Sequence, residues 1–127
     1  MPKKLFENFE QSLTQLKDFC SLPVTNDRDK AGIIQAFEFT FEQSWIAIKK
    51  LAENMGQQVP SPKQAFSFAM RQGWIKTEDE VHWLKMISDR NLTSHTYKKQ
   101  IANEVLGRIL GQYIKMLEEL FSNLSRE

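Results

Sequence analysis

Glycine and proline are scarce in this chain, with five and four in 127 residues, against an average share of about 12%. The prolines stop at Pro62, so nothing from Lys63 to Glu127 forbids helix. A single cysteine, Cys20, cannot form an internal disulfide. No apolar run approaches the roughly 20 residues that span a bilayer, and Met1–Asn8 lacks the apolar core of a signal peptide. No membrane is expected as partner, and the expected location is the cytoplasm. No charge dominates either: 17 Lys and Arg face 16 Asp and Glu, a net of +1. That balance excludes extended nucleic-acid binding by bulk electrostatics, so any RNA contact must be local or shared with a partner. Two scattered histidines and one cysteine show no metal-ligand spacing, and no glycine-rich loop could cradle a phosphate. Neither a metal nor a cofactor is expected.

What the chain does have is apolar residues at helical spacing. Nine Phe and three Trp suffice for a real core in one domain spanning residues 1–127. Phe6, Phe9, Leu13, Leu16 and Cys20 recur at three- and four-residue steps, which predicts a first helix from about Lys3 to Phe19. Asn26 or Asp27 is placed to cap a second helix, Arg28 to Met55, whose stripe is Ile34, Phe37, Phe41, Trp45, Ile48 and Leu51. Gly56 ends it. Ser61-Pro62 reads as a cap followed by proline at the first helical position, opening a short helix that ends at Gly73. Thr77 to Glu80 has the capping-box spacing, ahead of a fourth helix with Trp83, Leu84 and Ile87 inward. The last helix is expected to start between Thr93 and Tyr97 and reach Leu124, with Gly107 and Gly111 allowing close packing inside the bundle or, alternatively, a dimer contact. The fold class is therefore all-α, an up-and-down bundle of four main helices and one short one.

Chemistry concentrates in Asp89-Arg90-Asn91-Leu92-Thr93-Ser94-His95-Thr96-Tyr97, which gathers a guanidinium, a carboxamide, hydroxyls, an imidazole and a phenol. On one unbroken helix Arg90 and His95 would point apart, since five steps rotate a side chain by about 500°, or 140° net. A break at Asn91–Thr93, with Thr93 or Ser94 capping the next helix, would let both face one pocket. The positive end of that helix would favour a phosphate and a neutral His95. Arg90 could then clamp the phosphate by paired hydrogen bonds while His95 takes the proton from a ribose 2′-hydroxyl attacking its neighbouring phosphate, with no metal required. A polar helix–helix corner that merely satisfies backbone groups would use the same residue types.

Arg90-x4-His95-x-Tyr97, with Asn91 beside the arginine, resembles the signature of the HEPN superfamily. More narrowly, the chain is similar to the nucleotidyltransferase substrate-binding proteins, the HepT-like branch. Ile34-Gln-Ala-Phe-Glu-Phe-Thr-Phe-Glu42 with Trp45, Ala65–Gly73 and Trp83–Tyr97 follow in the order of that branch and cover most of residues 28–97. Gln43, Ser44 and Ile46 depart from its usual aliphatic and basic choices. The resemblance implies a helical homodimer encoded beside a minimal nucleotidyltransferase, often as the ribonuclease toxin of a toxin–antitoxin pair acting on an RNA substrate. By position, Arg90 and His95 would be catalytic, Asn91 would orient phosphate or base, and Asp89, Thr93 and Ser94 would support them. Tyr97 would be the tyrosine that the partner modifies with AMP to silence the ribonuclease. The other function that the resemblance implies is a non-catalytic substrate- or nucleotide-binding subunit of a two-component nucleotidyltransferase.

Overall fold

A computed structural model describes residues 5–95 and 98–127. Among these, the chain forms helices α1 (Glu7–Cys20), α2 (Asp27–Asn54), α3 (Pro62–Arg71), α4 (Glu80–His95), α5 (Lys99–Arg108) and α6 (Ile114–Leu124), and no strand. A π-helical turn, Ile109–Tyr113, joins α5 to α6. The rod α5–π–α6 with α1, α2 and α4 makes the four main helices, and α3 is the short one, so the all-α bundle is as expected.

Local chemistry accounts for most boundaries. The Asn26 side chain accepts from Asp29 N, and Asp29 in turn accepts from Thr25 N and Oγ1 at 2.9 and 2.8 Å, closing the α2 entry reciprocally. Gly56, at φ +78°, adopts the left-handed turn that ends α2, and the Gln57 N–H reaches back to Ala52 O at 2.8 Å. Ser61 caps α3 through Gln64 N, with Pro62 opening the helix. Thr77 behaves differently from the expected capping box. It opens a 3-10 turn, Thr77–Asp79, without a side-chain cap.

The longest helix, α2, packs against α1, α3, α4, α5 and α6, so it runs through the centre of the bundle. Phe37, Phe41, Ile48 and Leu51 on its buried stripe meet Phe9, Leu16, Phe66, Trp83, Tyr113 and Leu117 from the helices around it. Phe37 stacks on Tyr113 with ring centres 5.6 Å apart, and Phe41 meets Phe66 edge-on at 5.6 Å. Among the described residues no helix is long and apolar enough to cross a membrane.

Several sequence expectations fail here. Helix α4 does not break at Asn91–Thr93 but continues to His95, and the last helix opens only at Lys99. The Thr93 and Ser94 hydroxyls, expected as caps, lie 3.1 and 3.0 Å from Arg90 O and so bond within the helix they belong to. Leu84 turns outward with 45% exposure, while Met86 and Asp89 take the inward places. Gly107 and Gly111 lie on the exposed side of the rod, where an added Cβ would meet nothing within 4 Å, so they pack against no helix of this bundle.

Candidate functional site

The π turn explains how α4 is held. In an α-helix, residues five apart diverge by about 140°. The Ile114 N–H closes instead on Ile109 O, the five-residue step of a π turn, and residues five apart stack. Arg108 and Tyr113 are five apart, and both reach the same carboxylate, Asp89 of α4. Arg108 Nε donates to Oδ2 at 2.6 Å and Nη2 to Oδ1 at 3.0 Å, and the Tyr113 hydroxyl donates to Oδ2 at 2.5 Å. Asp89 has no exposed surface. Its hydrogen bond, more than its charge, holds the Arg108 guanidinium above its usual value. Burial, followed by the hydrogen bond and charge of Asp89, pushes the Tyr113 phenol well above the ordinary phenol range. Asp89 thus ties α4 to the α5–π–α6 rod one residue before Arg90.

Arg90 lies on the side of α4 that faces α2. Its Nη1 donates to Ser94 Oγ in a short contact, and its Nε is buried without a hydrogen-bond partner among the described residues. Glu38 of α2 completes this corner, its Oε2 lying 2.7 Å from Thr93 Oγ1 and 3.2 Å from Ser94 Oγ. Glu38 and Thr93 also border a cleft of about 490 Å³ between α2 and α5, with Arg28 and Gln35 at its rim. A buried guanidinium nitrogen with no acceptor is rare in folded proteins.

His95 lies elsewhere. It is exposed and borders a second cleft, about 430 Å³, together with Ser88, Asn91, Leu84 and Leu92 of α4 and Lys63 of α3. Arg90 does not line it. The site residues therefore fall into three groups: Asp89 in the core, Arg90 with Thr93 and Ser94 facing α2, and Asn91 with His95 on the outer face. Tyr97 lies outside the described residues. One consequence reverses the sequence-based electrostatics. His95 stands in the last turn of α4, at the negative end of the helix dipole, rather than at the positive start of the next helix.

Glu38, Arg108, Tyr113 and Lys63 went unrecognised from sequence. Glu38 looks in sequence like any helix-surface carboxylate, and a π turn leaves no periodic signal. Among the described residues no three His, Cys, Asp or Glu side chains come close enough to hold a metal ion.

These features define a helical-bundle protein with a polar cluster at the end of one helix, held by a buried carboxylate and flanked by two open clefts. The chain belongs to the family described as nucleotidyltransferase substrate binding protein like, which matches residues 4–126. A Thermus thermophilus protein of known crystal structure is 32% identical, with a TM-score of 0.82 over 91% of this chain and 98% of that one. The fold is also similar to that in the crystal structure of a toxin–antitoxin mutant, MntA-HpeT, at 10% identity and TM-score 0.78 over 98% of this chain and 96% of that one. No curated protein matches the chain.

Proposed function

We propose that this chain is the metal-independent ribonuclease of a two-gene toxin–antitoxin system whose other member is a minimal nucleotidyltransferase. The observation that carries the reading is His95, an exposed imidazole beside Asn91 and Ser88 in a cleft whose lining, among the described residues, includes no carboxylate. A phosphodiester can approach such a cleft without repulsion from its walls. His95 removes the proton of a ribose 2′-hydroxyl, the freed oxygen attacks the adjacent phosphorus, and the bond to the 5′-oxygen breaks. The products are a 2′,3′-cyclic phosphate and, after protonation of the departing oxygen, a 5′-hydroxyl. Asn91 orients the phosphate or base by its carboxamide.

Arg90 supplies the charge clamp, and its position supports a homodimer. It is about 140° around α4 from His95, so one chain does not offer both groups to one phosphate. A second copy, apposed so that its Arg90 approaches this chain's His95, completes the pair. Leu84 and Leu92, 45% and 39% exposed beside the His95 cleft, supply apolar surface for that contact. AMP transfer from the nucleotidyltransferase to Tyr97, two residues beyond His95 in sequence, silences the ribonuclease by adding bulk and negative charge. The family and the toxin–antitoxin neighbour support the choice of partner.

The test is cleavage of an RNA oligonucleotide by the purified chain in excess chelator, with the product ends identified. Cyclic-phosphate ends that disappear in His95→Ala support the reading, and cleavage unaffected by His95→Ala overturns it. Co-expression with the neighbouring nucleotidyltransferase should add one or more AMP units to Tyr97 by mass spectrometry. A second reading, a non-catalytic subunit presenting a substrate or nucleotide to the transferase, is favoured by the divergence of Arg90 from His95. It predicts no cleavage and a changed turnover of the transferase.

A further inference from the structure

The His95 cleft contains a residue from another helix that the family signature leaves out. Lys63 is the second residue of α3, just after the Ser61 cap and Pro62, and it reaches the cleft from the side opposite α4. Three features separate it from an ordinary surface lysine. It borders the same 430 Å³ cavity as Asn91 and His95, which Arg90 does not. Among the described residues it is the cleft's one lysine or arginine, and no carboxylate lines the cavity to neutralise it. The ion pairs among the described residues are Lys17–Glu118, Lys99–Asp27 and Arg108–Asp89, so Lys63 is committed to none of these.

The positive end of α3 reinforces that charge. At the start of a helix a lysine faces the positive dipole end, an arrangement that costs stability unless an anion offsets it. The walls Leu84, Ile87 and Ser88 carry no charge, so the positive charge at the α3 side of the cleft faces the negative dipole end of α4 with no carboxylate beside it. Lysine holds a phosphate as a point charge and needs no paired geometry.

We propose that Lys63 is a further substrate-binding residue, holding a backbone phosphate of single-stranded RNA in the cleft that His95 shares. The assignment rests on the ribonuclease reading for the identity of the ligand. The strand would cross from the start of α3 to the end of α4, with Lys63 on a backbone phosphate at one side of the cleft and His95 at a ribose 2′-hydroxyl on the other. Lys63 touches no reacting atom in this arrangement. It fixes the register in which His95 meets a 2′-hydroxyl.

The experiment measures RNA affinity in the His95→Ala background, where the strand stays intact, over a series of salt concentrations. Lys63→Gln should weaken binding by about three- to tenfold and reduce the slope of log affinity against log salt by about 0.7, the value of one phosphate contact on a single strand. Lys63→Arg should restore most of both, and Lys63→Glu should weaken binding further. Lys115→Gln, an exposed lysine of α6 outside the cleft, should change neither. In the His95 enzyme, Lys63→Gln should raise KM more than it lowers kcat. Unchanged affinity and salt slope in Lys63→Gln, with cleavage by the parent chain intact, overturn the assignment alone. A parent chain that neither binds nor cuts RNA overturns the ribonuclease reading and the assignment together. Loss of ATP binding in Lys63→Gln with RNA binding unchanged also overturns it.

Discussion

Arg108 grips Asp89 through two nitrogen–oxygen contacts, 2.6 Å from Nε and 3.0 Å from Nη2. The partners are unequally buried, since the Arg108 side chain keeps 29% of its surface and that of Asp89 none. Deleting the arginine strands a carboxylate in the core, whereas deleting the charge on the carboxylate lets the arginine turn to water. Arg108→Met should therefore destabilise the fold by about 3 kcal/mol. Asp89→Asn should cost less, and the double variant should recover part of the Arg108→Met loss. Urea unfolding of the three variants measures this. An Arg108→Met variant as stable as the parent would show that the pair does not hold α4 against the rod.

Tyr113 gives the same network a pH signature. Its phenol is raised by burial and by Asp89, so the folded state holds its proton more tightly than the unfolded chain does. A group raised on folding contributes stability that is complete below its unfolded value, about 10. That contribution is lost as pH climbs from there through the folded value. Unfolding free energy should thus fall as pH rises above about 10 in the parent chain, and fall less steeply in Tyr113→Phe. Equal slopes in the two proteins would sink this account. At neutral pH Tyr113→Phe should still cost about 1 kcal/mol for the missing hydrogen bond.

The exposed leucines of α4 bear on assembly. Leu84 keeps 45% of its surface exposed in the single chain, so Leu84→Glu should shift its unfolding by only about 1 kcal/mol. If two copies associate across that face, the same change buries a carboxylate against its symmetry mate and should shift the population to monomer. Sedimentation or light scattering distinguishes the outcomes. A Leu84→Glu chain with the same mass in solution as the parent places the contact elsewhere.

Helix stripes and caps made the bundle legible in sequence. Phe9, Leu13, Leu16, Phe37, Phe41 and Ile48 all lie in the core as their spacing required, and Asn26, Gly56, Ser61 and Gly73 end or begin helices where their chemistry does so. The nine-residue polar segment was legible as a cluster but not as a geometry. Thr93 and Ser94 are equally good caps and helix-interior back-bonders, and Glu38, 55 residues before Thr93, decides between the two by accepting from it. The reach of Arg108 and Tyr113 to one carboxylate depends on a single π turn. Sequence periodicity averages over that step, so neither residue could be matched to Asp89 in advance.

The divergence of Arg90 and His95 around α4 makes the sharpest prediction. If the working site takes Arg90 from one copy and His95 from the other, Arg90→Ala and His95→Ala chains should each lose about 10²- to 10⁴-fold in RNA cleavage, the usual range for a base or a charge clamp. Mixed and allowed to exchange, they should partly rescue each other. A mixed dimer retains one site with an intact arginine and an intact histidine, so an equal mixture should recover about a quarter of the parent rate for a twofold-symmetric pair. Sites built within one chain recover nothing on mixing, because every chain then carries a defect in its own site. Leu84→Glu, if it prevents pairing, should abolish the rescue and lower parent activity together. No recovery on mixing, in variants shown to exchange into mixed dimers, would exclude the shared site and return Arg90 and His95 to a single chain.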